Sequence, residues 1–198
     1  MGGPRRQPEA GARLRDAERS RSALLDAAQG EFADKGFTGA RVDAIAARAG
    51  VNKQLIAYYF GSKQGLYDAV TERRRALVAE FDTPGTSLPD LARRYSEAFR
   101  DHPDLERIYL RETLDQDPDD VVFDPDAREV VDLRRRQEEG EIAADLDPAF
   151  LLLLLEAMTV AGSLFRAEAK RLTGLDPRSA DFRDRAAEQL SLIVSKLA

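Results

Sequence analysis

Residues 41–70 read RVDAIAARAGVNKQLIAYYFGSKQGLYDAV, and their pattern predicts two short helices joined by a tight turn. Apolar residues recur at helical spacing on both sides of Gly50. Gly50 stands where the chain can take a left-handed conformation, and the apolar Val51 follows it. Ala46 is small enough for the two helices to approach closely. These features together predict a helix-turn-helix.

The rest of the chain shows helical periodicity and no strand-like alternation. In the N-terminal part, the pattern predicts a helix over 19–37 that ends at Gly36. Asn52 is expected to cap the second helix of the motif, and Ser62 is expected to cap a further helix that reaches residue 81. Beyond a turn-forming stretch at 82–90, five more helices are expected, over 91–100, 104–115, 126–139, 150–172 and 178–197. The predicted fold is all-α with about nine helices.

The composition excludes several classes of chemistry. The chain has 198 residues, no cysteine and one histidine, His102, so disulfides, thiolate metal sites and multi-histidine zinc sites are impossible. Paired carboxylates occur only in hydrophilic runs, where nothing would shift their pKa values for catalysis. No apolar run is long enough to span a bilayer, and no secretory signal precedes the first helix. We therefore expect a cytoplasmic protein that is not an enzyme, with no metal, no cofactor and no membrane partner.

Charge is distributed unevenly along the chain. The formal net charge is −6, yet residues 1–67 carry 11 basic and 7 acidic side chains. Residues 44–67 contain no acid, whereas Arg48, Lys53 and Lys63 lie among them. Such a window suits a surface that faces phosphate, although a chance gap with solvated basic residues gives the same pattern. Together with the helix-turn-helix, it favours DNA binding over a purely structural helical hairpin.

Two runs, ALLDAAQGEFADKGF at 23–37 and VDAIAARAGVNKQLIAYYFGSKQGLYDAV at 42–70, resemble the TetR family of transcriptional regulators. The resemblance covers about a quarter of the chain, and the remainder is similar only in its layout of helices. It implies a DNA-binding domain at 18–66 and a ligand-binding and dimerisation domain at 67–198. A basic arm at 1–17, rich in Gly, Pro and Arg, is expected to be disordered.

The implied function is a regulator that binds a palindromic operator in double-stranded DNA as a homodimer. Repression, with release by a small-molecule effector, is the usual mode of the family. The alternative is a DNA-binding regulator without a small-molecule effector, controlled by a protein partner.

The resemblance assigns DNA-binding roles by position. Lys53, Gln54 and Leu55 fall at base-reading positions, where they suit guanine, adenine and a thymine methyl, respectively. Tyr59 and Lys63 fall at phosphate-contacting positions. The full predicted DNA-binding set is Arg41, Asn52, Lys53, Gln54, Leu55, Tyr58, Tyr59 and Lys63.

The chain departs from the family pattern at three places. Ala40 and Arg41 replace the usual hydroxyl residues before the first helix of the motif, so a hydroxyl cap is missing there. Ala57 stands where a base-contacting tyrosine is common, so Tyr58 or its neighbours are expected to read that step instead. Gly65 replaces the glutamate that would complete a capping box with Ser62.

The C-terminal part is expected to hold a dimer interface and an effector pocket. Residues 150–155 are apolar all round and need cover on more than one side. A monomeric bundle core or a partner subunit would provide it, and reading a palindrome with two recognition helices favours the partner. The predicted interface residues are Leu155, Phe182, Ala186, Leu190, Ile193, Val194 and Leu197. The predicted pocket residues, for each of which plain core packing is the alternative, are Tyr95, Phe99, Tyr109, Glu112, Met158 and Phe165. Glu112 is expected to pair with Arg107 or with a cationic ligand.

Overall fold

The computed structural model describes residues 10–81, 83 and 85–197, with side chains there except at 10–14, 79, 81, 99 and 100. Within these residues every regular element is helical, which confirms the predicted all-α fold. The chain divides into two compact units, residues 1–75 (the head unit) and residues 76–198 (the bundle unit). The resemblance to the TetR family predicts a boundary after residue 66.

The head unit is built from the first helices of the chain. These are α1 (Ala10–Gly39), α2 (Val42–Ala49), α3 (Gln54–Phe60) and the beginning of α4 (Lys63–Phe81). From Ala10 onward the expected disordered arm is helical instead, because the run ARLRDAERSR consists largely of good helix formers. The arm's first nine residues lie outside the described part. Gly36, with φ 69°, interrupts the helical geometry of α1 where the sequence predicted its end.

Small side chains fill much of the head unit's core. Among its described side chains, five of the eleven buried hydrophobic residues are alanines, and the larger ones include Leu24, Phe32 and Ile45. An aromatic trio adds to this core, since the ring of Tyr67 lies 4.9 Å from that of Phe32 and 5.1 Å from that of Phe37. These contacts join α1 to α4.

The bundle unit contains six further α-helices and one 3₁₀ turn among the described residues. They are α5 (Leu88–Asp101), α6 (Pro103–Asp115), the 3₁₀ turn (Pro118–Asp120), α7 (Arg128–Glu138), α8 (Pro148–Leu164), α9 (Arg166–Thr173) and α10 (Ala180–Val194). Helix α10 packs chiefly on α5, and α8 contacts α5, α6, α7 and α10. The central buried cluster joins residues from four of these helices and the segment after α7, and it includes Leu91, Leu133, Ile142, Leu151, Leu190 and Val194.

The single helix predicted over 150–172 is wrong. It is two helices, α8 and α9, bent by 85° at a break around Phe165. Gly162, a poor helix former, lies three residues before Phe165. Gly162 also makes room for Phe182, because a Cβ at position 162 would lie 2.5 Å from the Phe182 Cε1 atom. No single helix among the described residues is long and apolar enough to cross a membrane, and the bent α8–α9 pair reaches that length only when both are counted.

A buried arginine organises one end of the bundle unit. Arg136 of α7 is 3% exposed, and its guanidinium donates to Asp132 Oδ2 at 2.6 Å, Glu141 Oε2 at 2.8 Å and the Thr86 carbonyl at 2.8 Å. The other carboxylate oxygen of Glu141 accepts from the Leu88 amide. Burial raises the pKa of Asp132, but hydrogen bonds from Arg136 and Arg135 outweigh it and hold that pKa below its ordinary value. The cluster ties the start of α5 to α7.

Candidate nucleic-acid interface

The turn between α2 and α3 has the geometry that the sequence predicted. Gly50 is left-handed, with φ 67° and ψ 28°, and its amide donates to carbonyls of the last turn of α2. The Val51 amide donates to the Ala46 carbonyl at 3.1 Å. Ile45, Ala46 and Ile56 are buried, and both helices of the motif pack against α1. The predicted helix-turn-helix is confirmed.

The first turn of α3 presents polar side chains to solvent. Asn52 Oδ1 accepts from the Gln54 amide at 2.8 Å, so Asn52 caps the helix that is assigned from Gln54 onward. Lys53, Gln54 and Tyr58 are exposed. Leu55, expected to point outward, is half-buried, so only part of its side chain is accessible.

Basic and aromatic residues flank this helix. Arg41 is exposed in extended backbone before α2, and its side chain makes no capping bond, as the missing hydroxyl implied. Ser62 Oγ caps α4 by accepting from the Gly65 amide at 3.1 Å. The half-buried Lys63 lies 4.8 Å above the Phe37 ring and donates to the Thr38 carbonyl at 3.4 Å. Tyr59 is half-buried, with its ring 4.9 Å from that of Tyr58.

An acidic residue that the sequence reading missed lies beside Lys53. The Lys53 Nζ atom donates to Asp43 Oδ1 at 2.9 Å. That hydrogen bond and the positive charge of Lys53 hold the pKa of Asp43 below its ordinary value. The available signal was position: Asp43 lies in the first turn of α2, one residue before the acid-free window.

The bundle unit contains a small cavity among α5, α6, α8 and α10. Its volume is about 50 Å³, which is room for one or two waters. The polar part of the lining includes Glu106, Ser163 and Arg183, and the apolar part includes Met158 and Phe182. Burial raises the pKa of Glu106, although a hydrogen bond from Ser163 and the charge of Arg183 favour its ionised form. Glu106 and Arg183 are not among the predicted pocket residues, because charged side chains are mostly exposed in folded proteins.

The predicted pocket residues are only partly brought together. Met158 lines the cavity, whereas Phe165 is exposed at the α8–α9 bend. The side chain of Phe99 lies outside the described residues. Three predicted residues are half-buried in the bundle unit outside this lining: Tyr95, Tyr109 and Glu112. Arg107, the expected partner of Glu112, forms an ion pair with Asp104 at 2.7 Å.

Most of the predicted interface residues pack inside the bundle unit. Leu190 and Val194 belong to its buried core, with Leu155 and Leu197 packed against it, and Phe182 and Ala186 line the cavity. Of the seven, Ile193 is exposed. An apolar stripe on a helix must be buried, but its spacing does not distinguish an internal core from a partner subunit.

Comparison with known proteins assigns both parts of the chain. The family described as "Bacterial regulatory proteins, tetR family" matches residues 24–70, and "Tetracyclin repressor-like, C-terminal domain" matches residues 87–190. The second match alone spans more than half of the chain. The chain belongs to the TetR family. This TetR-family protein is a DNA-binding transcriptional regulator, not an enzyme.

Individual relatives agree with the assignment. The HTH-type transcriptional repressor SCO4008 of Streptomyces coelicolor is 33% identical over 150 residues, which cover 73% of this TetR-family chain and 78% of the relative. The HTH-type transcriptional regulator RutR of Escherichia coli is 28% identical over 199 residues, covering 93% and 92% of the two chains. The crystal structure of SCO4942 from Streptomyces coelicolor superposes with a TM-score of 0.69 at 28% identity, covering 88% of this chain and 97% of that one.

Proposed function

We propose that this protein is a homodimeric repressor that binds a palindromic operator through the head unit and releases it when a small molecule binds in the bundle unit. The observation that carries the proposal is the exposed start of α3, where Lys53 and Gln54 follow the Asn52 cap. Recognition helices of this motif contact base edges with their N-terminal residues. The repressor name of the relative SCO4008 supports the direction of regulation.

The residue chemistry at α3 suits the major groove of DNA. The Gln54 amide can pair with the N6 and N7 atoms of adenine, and the Lys53 ammonium suits guanine O6 and N7. Arg41 and Lys63 add positive charge at the starts of α2 and α4, and Tyr59, near the end of α3, adds a hydroxyl for phosphate. Asn52 and Tyr58 complete the proposed contact set, and Leu55 contributes the part of its side chain that is exposed.

An unpaired apolar face supports the homodimer. Phe150, Leu153 and Leu154 of α8 are each at least 60% exposed, and Met158 continues the same helical face. On α10, Ile193 is also exposed. Contiguous apolar surface of this kind marks interaction sites, and a two-fold interface places two identical heads on one palindrome.

The bundle cavity is the proposed effector site. At about 50 Å³ it is too small for most metabolites, so effector binding would have to enlarge it. The aromatic ring of Phe182, held against Gly162, and the flexible Met158 are the lining groups that can move. A ligand that binds only the enlarged form would shift the protein toward a state with lower DNA affinity.

Selection of bound sites from a randomised duplex library, followed by titration at several salt concentrations, tests DNA reading. Wild-type protein should enrich one palindromic site, with an affinity that falls as salt rises. Lys53→Ala/Gln54→Ala should lose at least about ten-fold in affinity for that site. Lys35→Ala, an exposed change elsewhere in the head unit, is the matched control. Failure of wild-type protein to enrich any site would refute the proposal.

Sedimentation tests the proposed interface. Leu154→Asp should yield monomers that lose operator affinity, whereas Leu114→Asp, at an exposed leucine of α6, should remain dimeric. A dimeric Leu154→Asp would remove α8 from the interface.

Release from the operator tests the effector site. Metabolite fractions that release wild-type protein from the operator should release Met158→Trp less readily, because the larger side chain fills the cavity. If no fraction releases the wild-type protein, regulation by a small molecule is refuted.

A further inference from the structure

Asp43 and Lys53 form a pair within the helix-turn-helix, beside the start of the proposed recognition helix α3. Asp43 is in the first turn of α2, and Lys53 immediately precedes α3. Their side chains are 67% and 62% exposed, so neither is held by the core. The Lys53 Nζ atom and the Asp43 Oδ1 atom are 2.9 Å apart. The structure therefore presents one donor group and one acceptor group, side by side, to solvent.

We propose that Asp43 and Lys53 read a single G·C base pair as a unit, with Lys53 donating to guanine and Asp43 accepting from cytosine. The inference deepens the proposed function and rests on it, since it names a specificity-determining residue and the base pair that it recognises. Asp43 is not in the DNA-binding set that the family resemblance predicted.

The chemistry of the pair is complementary to the edge of that base pair. In the major groove, guanine offers the acceptors N7 and O6, and cytosine offers its N4 amine as a donor. O6 and N4 are hydrogen-bonded to each other, so they lie about 2.9 Å apart. An ammonium only donates and a carboxylate only accepts, so the protein pair has the opposite polarity at the same spacing.

The geometry favours G·C over A·T. An A·T pair also offers a donor beside an acceptor, through adenine N6 and thymine O4. Lys53 would then find one acceptor instead of two, and the thymine methyl group would crowd its ammonium. The G·C edge gives the ammonium both N7 and O6 while leaving the cytosine amine for Asp43.

The pair also explains why an acid is placed on a surface meant for DNA. A carboxylate repels phosphate, and while Asp43 holds Lys53 the lysine is less available for contacts with the DNA backbone. Binding that offers a partner to only one of the two groups is therefore penalised. A base-pair edge that offers partners to both groups replaces the hydrogen bond that is lost when the two side chains separate. The pair therefore increases specificity more than affinity.

Site selection with Asp43→Ala tests the inference. Wild-type protein should select a G·C pair at one position in each half-site and bind it about five- to 150-fold more tightly than the A·T substitution, the range of one good base contact. Asp43→Ala should select the same site with that one preference reduced to about three-fold or less, and Lys53→Met should lose preference at the same position. Asp26→Ala is the matched control, because it removes an exposed interhelical ion pair of the same unit, with Arg73 at 2.6 Å, away from α2 and α3.

The outcomes separate the inference from the proposed function. A wild-type site that Asp43→Ala reads with undiminished preference at every position would overturn the inference and leave DNA reading intact. Selection of A·T at the position lost in both variants would overturn the assignment to G·C. Failure of the wild-type protein to select any site would overturn both proposals. Circular dichroism melting of each variant establishes that the head unit is folded in these comparisons.

Discussion

Replacing Arg136 by methionine removes the buried charge of the bundle unit and keeps most of the side-chain volume. The guanidinium donates to two carboxylates and one carbonyl at 2.6 to 2.8 Å. Removing one partner of a buried ion pair costs about 3–5 kcal/mol, because the remaining charge loses its compensation. Asp132 and Glu141 keep 33% and 28% of their side-chain surface in water, so they are partly solvated. We therefore expect a loss of about 2–3 kcal/mol.

Thermal unfolding followed by circular dichroism measures this loss. For a chain of this size the unfolding midpoint of the bundle unit should fall by about 5–10 °C. Arg135→Met is the matched control, because Arg135 neighbours Arg136 and also contacts two carboxylates, Asp132 at 2.7 Å and Glu139 at 2.6 Å, but from an exposed position. Its midpoint should stay near that of wild type, since exposed ion pairs contribute little. Equal midpoints for the two variants would refute the reasoning, and adding Glu141→Gln to Arg136→Met should recover part of the loss.

Three further substitutions test separate features of the fold. Asp132→Asn should destabilise the bundle unit at neutral pH. The folded-state pKa of Asp132 lies below its ordinary value of 3.8, so the difference from wild type in urea titrations should be full above pH 3.8 and should shrink as the pH falls from there through the lower folded-state pKa. Gly162→Ala should cost about 1–3 kcal/mol in urea unfolding, because the new Cβ would lie 2.5 Å from Phe182, and a second change, Phe182→Leu, should restore part of it. Gly50→Ala should cost about 1 kcal/mol in the thermal unfolding of the head unit, because alanine is strained at φ 67°. The new Cβ meets no neighbour within 4 Å, so the loss reports backbone strain alone, and an unchanged midpoint would contradict this explanation.

The head unit was predictable because its signals are local. The turn at Gly50 and the caps Asn52 and Ser62 each act within a few residues, and the structure shows the expected hydrogen bonds at all three. The sequence did not point to Asp43, because its partner, Lys53, lies ten residues away, just before the next helix.

The bundle unit was less predictable because its decisive contacts are distant in sequence. Arg136 reaches the Thr86 carbonyl across 50 residues, and Glu141 reaches the Leu88 amide across 53. No proline near Phe165 indicates the bend in the sequence. Periodicity located most of the helices, although it merged α8 and α9, and it did not say which apolar stripe faces the core of the same chain.

The alanine-rich core of the head unit has a consequence for the lifetime of the protein. An alanine removes far less apolar surface from water than a leucine, and a unit of about 75 residues has little such surface to begin with. Local opening of the head should therefore be frequent, and its amide hydrogens should exchange sooner than those of the bundle core. A duplex that binds only the folded head opposes this opening by mass action. Protein bound to DNA should therefore be cleaved by a protease more slowly than free protein.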